Sequence, residues 1–134
     1  MFDIDFDKIK KVEIQHDPFP HFVIKDFFSL DHLLSIIESF PKSRIKQAKM
    51  TSKSRYTIIH DSEHFRNLMQ ENLVWNRLYE QMSSEIYKRI IKNKYRETGN
   101  FAGDLSNIEL KSQMDITFAK SGYTRSVHLD RGFH

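Results

Sequence analysis

Near the C-terminal end of the sequence stand His128-Leu129-Asp130. On a strand, residues i and i+2 leave the same face, so this imidazole nitrogen and this carboxylate oxygen would lie within reach of one ion. The donor pair suits Fe(II) held by two histidines and one carboxylate, which leaves positions open for dioxygen and a co-substrate. The spacing alone is not specific. Seven histidines and ten aspartates in 134 residues are enough to produce such a pair by chance, so an ordinary surface pair stays open. Tyr123 and Arg125 lie on the approach to the pair and are candidates for touching substrate or co-substrate. Strict alternation turns them to the opposite face from His128, which favours packing or solvent contact over a role at the site. His134 as a further ligand would need a tight reversal at Gly132. If the chain stays extended it lies about 13 Å from Asp130, whereas donors on one ion sit about 3 Å apart. It reads instead as a residue of a next strand. His60 and His64 read as surface residues, and His16, His21 and His32 have no partner at ligand spacing. Cysteine is absent, which excludes disulfides, thiolate metal sites and thiol nucleophiles.

The elements that would carry these residues are legible in outline. Met114, Ile116 and Phe118 alternate with Asp115 and Thr117, a period of two that predicts a strand. Ser121-Gly122 turns the chain, and residues 123–130 can return as a second strand paired antiparallel with 112–119. Upstream, Val12–Gln15 and His21–Lys25 read as short strands around Pro18-Phe19-Pro20. Ser29 is a candidate N-cap for a helix over 30–40, whose Leu30, Leu33, Leu34, Ile37 and Phe40 form an apolar stripe ended by Pro41. Residues 41–55 hold six cations and no acid, and read as a mobile basic loop. Ser62 can cap a short helix reaching Asn72, and the spacing predicts one longer helix over 73–95, followed by a loop over 97–108.

Two stretches resemble a known family. Met114-Asp-Ile-Thr-Phe-Ala-Lys-Ser-Gly-Tyr-Thr-Arg-Ser-Val-His-Leu-Asp-Arg131 is similar to the metal-binding hairpin of the 2-oxoglutarate- and Fe(II)-dependent dioxygenases, in particular their prolyl-hydroxylase-like branch. Asp17-Pro-Phe-Pro-His-Phe-Val-Ile-Lys-Asp-Phe-Phe-Ser29, with the Leu-rich helix behind it, resembles the opening segment of many members. The resemblance implies an α+β fold, with N-terminal helices packed on a double-stranded β-helix (jelly roll). It implies His128 and Asp130 as two iron ligands and 2-oxoglutarate as co-substrate. The activity implied is hydroxylation of a small molecule or a protein side chain. Phe118 departs from the pattern, because relatives can place there a tyrosine that helps hold the co-substrate. The family's distal histidine and its basic partner for 2-oxoglutarate have no matching position in residues 1–134. The expectation is therefore one domain, cut short after its first core strands and inactive as it stands.

Bulk properties allow a second reading. The chain is 39% hydrophobic and 29% charged, with 11 Phe, 5 Tyr and 1 Trp, enough for a packed core. Its net charge is +3 and its pI near 9.1. No stretch approaches the roughly 18 apolar residues of a membrane span, and Met1–Asp7 is acidic where a leader would be basic. A cytoplasmic protein is expected. The alternative to the oxygenase is a small basic protein that binds nucleic acid or phosphate without catalysis. Residues 41–55 and the cationic end of the 73–95 helix would contact phosphates, with Tyr56 and Trp75 placed for stacking.

Overall fold

The computed structural model of the protein describes residues 3–52, 55–98 and 108–119. Within them the chain forms α1 (Asp7–Lys11), α2 (Leu30–Glu38), α3 (Lys42–Gln47), β1 (Lys49–Ser52), β2 (Arg55–Ile58), α4 (Glu63–Glu71), α5 (Leu73–Met82), α6 (Glu85–Arg96) and β3 (Ile116–Ala119). Four of the helices begin in the same way. Ser29, Ser62, Asn72 and Ser84 each accept a hydrogen bond on a side-chain oxygen from the backbone N–H three residues on, at 3.1–3.2 Å. Each cap satisfies one of the donors that a helix's first turn leaves unpaired. No helix among the described residues is long and apolar enough to cross a membrane.

β1, β2 and β3 make one antiparallel sheet in that order. Opposite β3, Ile58 pairs with Ile116, Thr57 with Thr117 and Tyr56 with Phe118, and the two threonine hydroxyls lie 3.2 Å apart. One face of the sheet is the core: Ile58 and Ile116 pack with Ile45 and Ala48 of the α3 segment and with Phe65 and Leu68 of α4. Met114, Tyr56, Trp75 and Tyr79 close its margins.

This architecture corrects the expected jelly roll. A jelly roll needs about eight strands in two packed sheets, and the described residues hold a single three-stranded sheet among six helices. Residues 12–15 and 21–25 do not add strands. Their contact is one isolated bridge, in which Gln15 and His21 exchange backbone bonds of 2.7 and 2.8 Å. Pro18 and Pro20 lie between them and have no N–H with which to extend a ladder.

Three other expectations shift. Within 41–55, expected to be a mobile basic loop, residues 42–47 are α3, 49–52 are β1 and Arg55 opens β2, because Ile45 faces the core at 2% exposure and Arg44 is held by Glu71. The single helix over 73–95 is two, broken where Ser83 Oγ donates back to the Tyr79 carbonyl and Ser84 caps α6. The apolar stripe of α2 is not buried among the described residues: Leu30, Leu33, Leu34 and Ile37 are 42–69% exposed. Only Phe40, beyond the helix, turns inward, with its ring 6.0 Å from Trp75 and 6.4 Å from Phe118.

The N-terminal segment is fastened by a buried lysine. Lys94 of α6 is 3% exposed, and its ammonium donates to the carbonyls of Lys10 (3.2 Å) and Val12 at the end of α1. Glu97 Oε2 lies 3.1 Å from the same nitrogen, and the Phe22 ring 6.0 Å away. Gln81 of α5 assists from the other end, accepting from the Ile4 N–H.

Candidate functional site

His128, Asp130, Tyr123 and Arg125, together with His134, lie outside the described residues. What the described residues establish is how the chain is carried toward them. β3 is pinned at its start by His60, which sits just past β2. The His60 N–H donates to Asp115 Oδ1 at 2.7 Å, and His60 Nδ1 lies 3.3 Å from the Met114 N–H, which donates to it. That bond places the ring proton on Nε2. The imidazole is packed between Phe65 and Tyr79, with centroids at 4.9 and 5.7 Å. Gln113 Nε2 donates to Asp115 Oδ2 at 3.3 Å, and Ser112 Oγ to the Met82 carbonyl at 3.2 Å.

His60 is therefore a latch on Met114 and Asp115 rather than a surface residue. Its distance in sequence from Met114 hid this role, although its position beside Ile58 and Ile59 placed it near the core. His64 is half-buried on α4, and its Nδ1 is buried without a hydrogen-bond partner among the described residues. Phe118 is 40% exposed on β3 and faces Phe40; it carries no hydroxyl for a co-substrate.

Among the described residues, no group of three or more histidines and carboxylates could hold a metal ion. The meeting of His60 and Asp115 does not supply one, since it brings together one imidazole and one carboxylate, with Nδ1 and both carboxylate oxygens engaged by backbone and amide donors. The donors of His128 and Asp130 fit iron in kind, nitrogen plus carboxylate oxygen with no competing thiolate. They number two of the three that such a site uses.

Two clefts have distinct chemistry. One, of about 470 Å³, is lined by Phe28, Leu78, Tyr79, Met82, Tyr87 and Met114 among others. Burial pushes the Tyr87 hydroxyl above the ordinary tyrosine range, with a smaller contribution from Tyr95. The other, of about 320 Å³, lies along α6 and is lined by Glu85, Lys88, Arg89, Lys92, Asn93 and Arg96, with Glu109 and Leu110 across it. The residues expected to stack on nucleic acid are half-buried. Trp75 and Tyr56 are packed against the core, and Trp75 Nε1 is buried.

At the periphery, Arg77 joins Asp3 and Glu80. The hydrogen bond from Arg77, and then its charge, hold the Asp3 carboxyl below the usual carboxylate range.

Compared with known proteins, the chain matches no protein-family model, no curated protein and no solved structure.

Proposed function

We propose that this chain serves Fe(II)- and 2-oxoglutarate-dependent hydroxylation, with His128 and Asp130 as two of the iron's ligands. The observation that carries the reading is β3. The resemblance asks for a strand directly before a Gly-containing turn and the His-x-Asp motif. Ile116–Ala119 is such a strand, hydrogen-bonded to β2 on one side, and it is the last strand of the order β1-β2-β3. A return of residues 123–130 along its other side would bring His128 and Asp130 to one face.

In this reading iron and 2-oxoglutarate supply the oxidising power, and the protein supplies ligands and a shaped site. His128 would give a neutral imidazole nitrogen and Asp130 an ionised carboxylate. Asp115, Gln113 and His60 act at a distance by fixing where β3 begins. Tyr123 and Arg125 are the nearest candidates for holding the co-substrate.

Anaerobic titration with Mn(II), followed by its electron paramagnetic resonance, tests the ligands. Two donors should give a weak site that either His128→Ala or Asp130→Ala removes. Manganese binding indifferent to both substitutions would defeat the proposal. Reading the coding DNA beyond His134 tests it independently: a histidine followed within about ten residues by Arg or Lys, in strand-like sequence, is the expected result.

A further inference from the structure

We infer that the cationic cleft along α6 binds the phosphate group of a small phosphorylated ligand. The inference uses none of the residues assigned to iron and does not rest on that reading. Lys88, Lys92 and Arg96 follow one another at four-residue spacing along α6, with Arg89 and Asn93 in a second row beside them, so the two rows line one cleft. Across from them Glu109 and Leu110 form a wall, so the cations line a cleft rather than an open helix face.

Partners are already assigned to some of these groups. Lys88 Nζ lies 3.4 Å from Glu85, and Arg96 donates to Asn93 Oδ1 at 3.0 Å. Arg89 and Lys92 have no carboxylate partner among the described residues. In all, four cations in the cleft face two carboxylates, Glu85 and Glu109, leaving a surplus of two positive charges. A phosphate monoester, at about −1.5 to −2 near pH 7, matches that surplus.

The helix dipole does not account for the pattern. Its negative end favours cations in the last turn, where Lys94 and Arg96 stand, and the effect fades beyond it. Arg89 and Lys92 precede that turn. Arg89 offers a planar fork to two phosphate oxygens, and Lys92 a compact ammonium. Leu110 gives the ligand's organic part an apolar contact. The volume, about 320 Å³, is at the small end for ligand pockets, which run from roughly 300 to 1,000 Å³. A compact ester fits it better than an extended nucleic-acid strand.

Calorimetric titration of the full chain with phenyl phosphate, at fixed ionic strength and with sulfate and a single-stranded oligonucleotide as comparators, tests this. Saturable binding of phenyl phosphate is expected, weakened at least tenfold by Arg89→Gln with Lys92→Gln and retained by Lys92→Arg. Lys42→Gln with Lys46→Gln removes the same charge from α3 and should leave the affinity unchanged. Circular dichroism confirms that each variant is folded. Equal weakening by both double variants, or absence of saturation, would overturn the site. Binding of the oligonucleotide more tightly than the ester, with a steep salt dependence, would overturn its assignment to a small ligand.

Discussion

Replacing Lys94 with methionine isolates what its ammonium does, because Met keeps an unbranched apolar stem in the same buried position. The ammonium makes two hydrogen bonds to carbonyls, of Lys10 and Val12, and one ion pair, to the half-exposed Glu97. A hydrogen bond from a charged donor contributes about 1.5–3 kcal/mol. Against the loss of two such bonds, the variant no longer buries a charge, which recovers part of the cost. The net destabilisation expected is about 2 kcal/mol. In urea, with a slope near 2 kcal/mol/M, the midpoint should fall by roughly 1 M, and the melting temperature by roughly 8 °C. The loss should be local in origin. Amide hydrogen exchange in α1, whose Ile9 is 3% exposed against the body, should accelerate before that of α4. Glu97→Gln removes only the exposed arm of the arrangement and should cost less than about 1 kcal/mol. If Lys94→Met unfolds at the native midpoint and α1 exchanges no faster, the ammonium does not fasten α1 and the reasoning is wrong.

Three further outcomes are expected. Leu68→Ala, at a side chain that is 2% exposed among Ile45, Ile58 and Phe65, should cost about 3 kcal/mol in chemical denaturation. Asn72→Ala should cost about 2 kcal/mol in the same assay, since Asn72 both caps α5 and donates to the Ser39 carbonyl at 2.7 Å. The Asp3 carboxyl is held below its ordinary value of 3.8 in the folded protein, so its pairing with Arg77 adds stability that is fully present above 3.8 and lost as pH falls through the lower folded value. Asp3→Asn should accordingly flatten the acid limb of a pH–stability curve below about pH 4 and leave the curve's shape above about pH 5 unchanged.

Several features were legible in the sequence because they depend on neighbours along the chain. Ser29 and Ser62 marked true helix starts, since an N-cap bond spans only three residues. The alternation of Met114, Ile116 and Phe118 marked β3, since side-chain direction on a strand repeats every two residues. The His128-Leu129-Asp130 motif and the absence of cysteine also belong to the sequence alone. Other features depended on which distant segments meet. Nothing local distinguished Lys94 from its cationic neighbours on α6; the carbonyls at the end of α1, more than eighty residues away, make it a buried clamp. The segment 41–55 looked like a solvated loop by charge, yet the core presented by α4 and β3 gives Ile45 a place to bury and so makes α3 worth forming. His60 became a latch only when β3 came to lie beside β2 and brought Met114 and Asp115 within hydrogen-bonding reach. Conversely, the apolar stripe of α2 had the right period for burial and stays open among the described residues, because amphipathic spacing specifies a face but not the surface that covers it.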